Sequence, residues 1–231
     1  MTIDQVDVLI LCGGLGTRLR STIGESQKVM ADVQGKPFLD YHIDHLQAQG
    51  VERIILCTGF QADDVESYYR NKDNEIAIDF AREEEPLGTG GALKNAQPIV
   101  WSDHFILLNG DSFCPFDVKY FLKKHFESEA IASVGISRKD DVRDYGTVEI
   151  NKDNLITAFK EKEDVKKSGF VNAGIYCFTQ KAFEYMPEEG KFSLEYDVFP
   201  NLTEHKLNGI IIEKEFSDIG TPERYQEFKN K

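Results

Sequence analysis

The sequence predicts an α/β chain built on a doubly wound, mostly parallel mixed sheet, a single domain whose second half is smaller. Three observations carry this. Val6–Cys12, Val51–Cys57 and Phe105–Leu108 are nearly continuous apolar runs, the pattern of parallel strands covered on both faces. Segments with helical spacing lie between them, which is the β-α-β order of a parallel sheet. At 231 residues the chain has the length of one domain.

The elements follow in order. After the first strand comes a glycine-rich loop. Pro37 opens a helix whose apolar positions Phe38, Leu39, Ile43 and Leu46 recur at helical spacing, and Gly50 ends it. Val51–Cys57 is the next strand, Ala62–Tyr69 a short helix and Ile76–Phe80 a further strand. Gly88–Ala96 is a second glycine-opened helix closed by Pro98, and Phe105–Leu108 ends in Asn109-Gly110-Asp111. The second half changes character. Thr147–Ile150 and Leu155–Phe159 flank Asn151-Lys152-Asp153-Asn154, a hairpin signal. Val171–Phe178 reads as a long strand, Ile210–Ile212 as a short one and Pro222–Phe228 as a closing amphipathic helix.

Composition excludes several classes. With 27 Lys and Arg against 40 Asp and Glu the formal net charge is −13, the wrong sign for coating nucleic acid. No apolar run approaches the roughly 18 to 20 residues of a spanning helix, and the N-terminus lacks the basic start of a secretory signal. The expectation is a soluble cytoplasmic protein with neither nucleic acid nor membrane as partner. Cys12, Cys57, Cys114 and Cys177 are far apart and read as small core residues in a reducing compartment. His42 and His45 share one helix without a third ligand nearby and read as surface or packing residues.

The decisive segment is Leu11-Cys12-Gly13-Gly14-Leu15-Gly16-Thr17-Arg18-Leu19, with Lys28 beyond it. A Walker loop would end in Gly-Lys-Ser/Thr, and Thr17-Arg18 follows Gly16 instead. A dinucleotide fingerprint needs a third small residue where Leu19 stands. What remains is a strand-end loop whose glycines bring backbone N–H groups close to an anion. Arg18 adds a planar fork suited to phosphate oxygens and Lys28 a point charge. The bland alternative is a glycine turn needed only for tight packing.

These residues, with Gly35-Lys36-Pro37 after them, resemble the signature of the sugar-1-phosphate nucleotidylyltransferases, and the resemblance runs over essentially the whole chain. Glu83-Glu84-Glu85-Pro86-Leu87-Gly88-Thr89-Gly90-Gly91-Ala92 looks like the family's second nucleotide segment. Asn109-Gly110-Asp111 looks like its metal-binding strand end, and Asp218-Ile219-Gly220-Thr221-Pro222 like its closing motif. Tyr145-Gly146-Thr147, Phe159-Lys160-Glu161-Lys162 and Asn172-Ala173-Gly174-Ile175-Tyr176 look like its sugar-phosphate side. Gln27 departs from the family, which usually has proline before the lysine.

The resemblance implies a Rossmann-like nucleotidyltransferase fold over residues 1–231. Its nucleotide-binding half would span about 1–115 and its sugar-phosphate-binding half about 116–231. It implies attack of a sugar 1-phosphate oxygen on the α-phosphorus of a nucleoside triphosphate, releasing pyrophosphate, with Mg²⁺ as cofactor. Arg18, Lys28 and Asp111 are then catalytic, and Asp111 and Asp218 hold the metal. Leu11, Gly13, Gly14, Gly16, Thr17, Glu83, Gly88 and Thr89 bind nucleotide. Gly146, Glu161, Lys162 and Asn172 bind the sugar phosphate. Both substrates are polyanions, and a unit-charge pair near 4 Å repels by about 4 kcal/mol at an effective dielectric of 20. The acidic protein must therefore hold a locally positive cleft.

In this family uracil- or thymine-using members often have glutamine where Glu83 stands. A carboxylate only accepts, and guanine offers two donors on one edge, so Glu83 favours GTP. The bland reading of Glu83–Glu85 is three surface charges before a turn. Within the family the resemblance is strongest to the D-glycero-α-D-manno-heptose 1-phosphate guanylyltransferases, then to mannose 1-phosphate guanylyltransferases. The chain is expected to lack the family's C-terminal β-helix extension. Two alternatives stay open: a uridylyl-, thymidylyl- or cytidylyltransferase using another sugar 1-phosphate, and a catalytically silent nucleotide-sugar-binding regulator. The presence of Arg18, Lys28, Asp111 and Asp218 argues against the silent form. A homo-oligomer is also left open.

Overall fold

The computed structural model of the chain describes residues 3–143, 145–160, 164, 166–205 and 207–231. β1 (Val8–Leu11) leads into the glycine loop and a short helix, α1 (Arg20–Ile23). A small ribbon, β2 (Asp32–Val33) and β3 (Lys36–Pro37), precedes α2 (Phe38–Gln47). Then come β4 (Arg53–Thr58), α3 (Ala62–Asn71), β5 (Ala77–Arg82), α4 (Gly88–Ala96), β6 (His104–Asn109) and the short β7 (Ser112–Phe113). The second half contains α5 (Val118–Ser128), β8 (Ala132–Lys139), the hairpin β9 (Thr147–Ile150) and β10 (Ile156–Lys160), and the long β11 (Gly169–Thr179). It closes with α6 (Phe199–Leu202), β12 (Leu207–Ile211), β13 (Ser217–Asp218) and α7 (Pro222–Lys229).

The described strands form a nine-stranded sheet ordered β10-β9-β11-β6-β1-β4-β5, with β8 beside β11 and β12 beside β8. β6, β1, β4 and β5 pair in parallel, as the apolar runs predict. β11 joins β6, β8 and β9 antiparallel and so carries strands of both halves in one sheet. From β1 the chain builds outward to β4 and β5, then returns to lay β6 on the other side of β1. That reversal opens a crevice beyond the carboxyl ends of β1 and β6, where open α/β sheets bind ligands.

Alternation along β1 explains why both of its faces are apolar. Val8 and Ile10 pack with Leu39, Ile43 and Leu46 of α2 and Phe121 of α5, while Leu9 packs on the opposite face with Leu93 of α4 and Phe199 of α6. All three β1 side chains are fully buried, each stabilising by about 1.5–3 kcal/mol relative to exposure. A third cluster joins Leu19 of the glycine loop to Phe38, Ile219 and Tyr225, so α7 seals the base of that loop.

The run from Phe216 to Asp218 reads in the sequence as a strand-like segment whose end borders the same crevice as Asp111, but it does not join the main sheet. β13 lies outside that sheet, in a separate antiparallel ribbon with β7. Two residues of polar-flanked sequence are too short to carry a periodic signal of their own, so this ribbon follows from tertiary pairing. The four cysteines are buried and unpaired. His42 packs on Phe38 and Phe113, and His45 bonds the Phe116 backbone, so both are packing residues. No described helix is long and apolar enough to cross a membrane.

Candidate active site

The glycine loop leaves β1 with the ladder still formed, since the Cys12 N–H donates to the Cys57 carbonyl at 2.8 Å. Gly13 lets the loop lie against Glu83: a Cβ there would sit 2.7 Å from Glu83 Oε1 and displace that carboxylate. Gly16 has φ +58°, and its Cβ would press on that of Lys28. Leu11, Gly13, Gly14, Gly16, Thr17, Arg18 and Lys28 all line one cleft of about 410 Å³, within the usual range of ligand pockets.

Gln27, the departure from the family pattern, is 1% exposed. Its amide donates to the Cys12 carbonyl and, at 3.2 Å, to the Gly14 carbonyl, while its Oε1 accepts the Val29 N–H at 2.6 Å. The side chain thus caps the turn that presents Lys28 and fastens that turn to the glycine loop. Lys28 in turn reaches Asp111 Oδ2 at 2.6 Å. Burial raises the Asp111 carboxyl, but the Lys28 ammonium and the Ser112 hydroxyl outweigh it and hold the group below the ordinary carboxylate range.

Asp218 pairs in register with Ser112, and the Ile219 N–H donates to the Asp111 carbonyl at 3.0 Å, so the two aspartates come together. Asp218 accepts from the Gly220 N–H at 2.8 Å, from Arg224 at 3.0 Å and from the Tyr145 hydroxyl at 3.3 Å. Its side chain is 10% exposed, against 42% for Asp111, so Asp111 is the carboxylate open to the cleft. Among the described residues no group of three or more His, Cys, Asp or Glu forms a ligand set. The pair nevertheless fits a hard divalent cation of the Mg²⁺ kind, which takes one or two carboxylates and fills its shell with phosphate and water oxygens.

Glu83 is not a surface charge. It is 9% exposed, unlike its exposed neighbours Glu84 and Glu85, and its Oε2 accepts the Leu87 N–H at 2.9 Å. Burial raises its pKa. One carboxylate oxygen is thereby committed to the turn before α4, which leaves Oε1, against Gly13, for any base edge. Gly88 and Thr89 line the same cleft, but the Thr89 hydroxyl is turned to the second half: it donates to Glu195 at 2.9 Å and accepts the Leu194 N–H at 2.9 Å. Lys191, which the sequence reading leaves aside, also lines the cleft. Arg18, Lys28 and Lys191 face Glu83 and Asp111 there, so the cleft is locally positive in an acidic body.

A second pocket of about 680 Å³ is walled by Gly146, Asn172, Lys160, Glu195 and Tyr196. Asn172 donates to the buried Tyr176 hydroxyl at 2.9 Å and accepts the Gly174 N–H. Glu161 and Lys162 lie outside the described residues. Glu195 escapes the sequence reading, although Ser193 followed by acidic Glu195 and Asp197 is a helix-start signal that marks its segment.

A family model described as nucleotidyl transferase matches residues 7–231. The D-glycero-alpha-D-manno-heptose 1-phosphate guanylyltransferase of Aneurinibacillus thermoaerophilus is 36% identical over 222 residues, 96% of each chain. The enzyme of that name from Campylobacter jejuni is 36% identical over 223 residues, 96% of this chain and 98% of the relative. The crystal structure of HddC from Yersinia pseudotuberculosis complexed with GMP-PN has a TM-score of 0.87 and 38% identity, covering 97% of this chain and 98% of that one. From the glycine loop to the closing helix, the chain belongs to the nucleotidyl transferase family.

Proposed function

We propose that the chain joins GTP to D-glycero-α-D-manno-heptose 1-phosphate and releases pyrophosphate. The observation that carries this is the cationic glycine-loop cleft lined by Asp111, with Asp218 paired beside that strand end and a hydroxyl-lined pocket linked to the cleft through the Thr89–Glu195 hydrogen bond. Base and sugar are supported by the names of the two guanylyltransferase relatives and by the nucleotide in HddC. In this reading residues 1–231 form one nucleotidyltransferase domain, with nucleotide held mainly by about 1–115 and sugar phosphate by about 116–231. The buried, unpaired cysteines suit a reducing, cytoplasmic setting.

The attacking oxygen of the sugar phosphate is already ionised, since a phosphomonoester loses its second proton near pH ~6, so no side chain need act as base. A bond forms from that oxygen to the α-phosphorus as the bond to the bridging oxygen breaks, and pyrophosphate leaves with the electron pair. The backbone N–H groups of the Gly13–Gly16 loop hold the triphosphate, and Arg18 and Lys28 neutralise the leaving pyrophosphate. Asp111 and Asp218 would hold Mg²⁺, which supplies screening of the phosphate oxygens when bound. Gly146 and Asn172, with Glu161 and Lys162, hold the sugar phosphate in line.

The test is pyrophosphate release from GTP, UTP, CTP and dTTP, each with heptose 1-phosphate and mannose 1-phosphate. GTP with the heptose should turn over fastest. UTP matching GTP would end the guanylyl reading, and mannose matching the heptose would end the sugar assignment.

A further inference from the structure

Glu195 walls the second pocket from the single wide helical turn Leu194–Val198 that Ser193 caps. Its Oε2 accepts the hydroxyls of Thr89 at 2.9 Å and Ser193 at 2.7 Å, and its Oε1 accepts that of Tyr176 at 3.2 Å. Each donor leads somewhere different. Thr89 is the second residue of α4, whose first turn lines the nucleotide cleft. Tyr176 is fully buried in β11, and its hydroxyl accepts from Asn172 at 2.9 Å and from Asn109 at 3.4 Å. Asn172 walls the second pocket, as Glu195 itself does, and Asn109 lines the nucleotide cleft one step before Gly110-Asp111.

The chemistry of the donors makes this an ordering device. A carboxylate accepts and does not donate, so it fixes the direction of all three O–H bonds. The Thr89 hydroxyl, with its proton on Glu195 and a lone pair on the Leu194 N–H, is held by two bonds to the turn. Burial pushes the Tyr176 phenol far above its ordinary value, which keeps it a donor at any working pH. Displacing the Glu195 head therefore loosens the start of α4 on one side and the Tyr176 hub on the other.

We propose that Glu195 is a positioning residue that couples the two pockets, so that occupancy of the sugar pocket tightens the nucleotide cleft and the reverse. This rests on the proposed function for the identity of the two ligands. Coupling of this kind is reciprocal: each ligand tightens the other by the same factor, and a break along the chain Thr89–Glu195–Tyr176 lowers that factor at both sites together.

The experiment compares wild type with Glu195→Ala, Glu195→Gln, Thr89→Val and the double variant Glu195→Ala/Thr89→Val. It reads KM for each substrate, kcat, the melting temperature and, by calorimetry, the dissociation constant of a GTP analogue with a non-cleavable α–β bridge, with and without the sugar 1-phosphate. Glu195→Ala should raise KM for the sugar 1-phosphate on the order of tenfold and weaken GTP binding severalfold. Glu195→Gln, whose carbonyl still accepts hydroxyls, should recover part of both losses. The discriminating result is Thr89→Val, which sits in the nucleotide cleft yet should raise KM for the sugar 1-phosphate severalfold. The double variant should be no worse than Glu195→Ala alone, since both cut one chain. Thr89→Val altering GTP parameters only, or additive losses in the double variant, would overturn the proposal. If wild type releases no pyrophosphate from any substrate pair, the proposed function fails instead. Calorimetry still decides the coupling then, because the analogue's affinity with and without the sugar 1-phosphate needs no turnover; tightening by the sugar that Glu195→Ala abolishes supports the coupling, and no tightening in wild type overturns it.

Discussion

Lys28 Nζ lies 2.6 Å from Asp111 Oδ2, which ties the turn after the glycine loop to the segment that follows β6. Lys28 is 9% exposed and comes from a capped turn, so the ammonium is held in place before any ligand arrives. The pair is part-buried, with desolvation of the two charges offsetting much of their attraction, so it is weak evidence for stability. The pair makes more sense as preorganised charge for a phosphate-bearing substrate than as a brace for the fold.

Lys28→Ala should therefore lower kcat on the order of 10²-fold or more in protein that still folds, with a lower melting temperature because Asp111 loses its partner. Asp111→Asn should raise the Mg²⁺ concentration needed for half-maximal rate more than it changes folding. Steady-state rates across a Mg²⁺ titration, paired with thermal melts, check both. An Asp111→Asn chain that fails to fold would assign the carboxylate a structural role.

Arg18 is exposed and lines the same cleft, with Nη2 3.7 Å from where a Cβ on Gly220 would stand. Arg18→Ala should cost on the order of 10² in kcat with an unchanged melting temperature, since no packing is lost. Wild-type kcat in this variant would move the triphosphate elsewhere.

Gln27 makes a prediction that the family's usual proline sharpens. Gln27→Ala strands the Val29 N–H and the Cys12 carbonyl in a buried place, at about 1–3 kcal/mol for an unsatisfied group. The backbone here has φ −62°, the value proline imposes, so Gln27→Pro restores stiffness without those bonds. Melting temperature should rank wild type above Gln27→Pro and Gln27→Pro above Gln27→Ala, with kcat/KM for GTP in the same order. Proline falling below alanine would mean that the turn does not depend on backbone stiffness.

What the sequence shows and what it hides divide along one physical line. The glycine loop, Asn109-Gly110-Asp111 and the start of α4 are legible because each does its work with contiguous residues whose types are set by local backbone demands. β8 is weaker: Ala132, Ser133 and Gly135 are small and give little contrast between its faces, so the strand is set by its neighbours β11 and β12. Glu195 meets Thr89, 106 residues away, and the β7–β13 ribbon joins segments about as distant. No spacing rule reaches so far, because the sheet topology decides those meetings.

Gly110 tests the floor of the crevice. A methyl there would run into the Leu11 carbonyl oxygen and press on Val29 Cγ1 at 3.1 Å. The carbonyl belongs to β1, which is pinned between β4 and β6 and cannot step aside. Gly110→Ala should destabilise by about 1–3 kcal/mol, the usual cost of overpacking. It should also lower kcat, since Asp111 is the next residue. Denaturant midpoints and rates measured on one preparation check both, and an undisturbed midpoint would show that β6 can shift to make room.

His125 predicts how stability responds to acid. It is 1% exposed on α5, with Nδ1 2.8 Å from Ser133 Oγ and Nε2 3.1 Å from His104 Nδ1. Burial, with His104 adding to it, lowers its pKa from 6.5 to about 3. The folded chain therefore keeps His125 neutral, while the unfolded chain takes up a proton once pH falls below about 6.5. The contribution is full above that value and is lost progressively as pH drops toward about 3, at no more than about 1.4 kcal/mol per pH unit. His42, lowered to about 4 chiefly by burial, adds a slope of the same sign. Urea midpoints between pH 7 and pH 5, above the range where most carboxylates titrate, should fall steadily in the wild type. His125→Gln, which cannot take up the proton, should be less stable at pH 7 but distinctly flatter over the same interval. Parallel slopes for the two proteins would mean that the acid response comes from other groups and that His125 is protonated as easily in the fold as out of it.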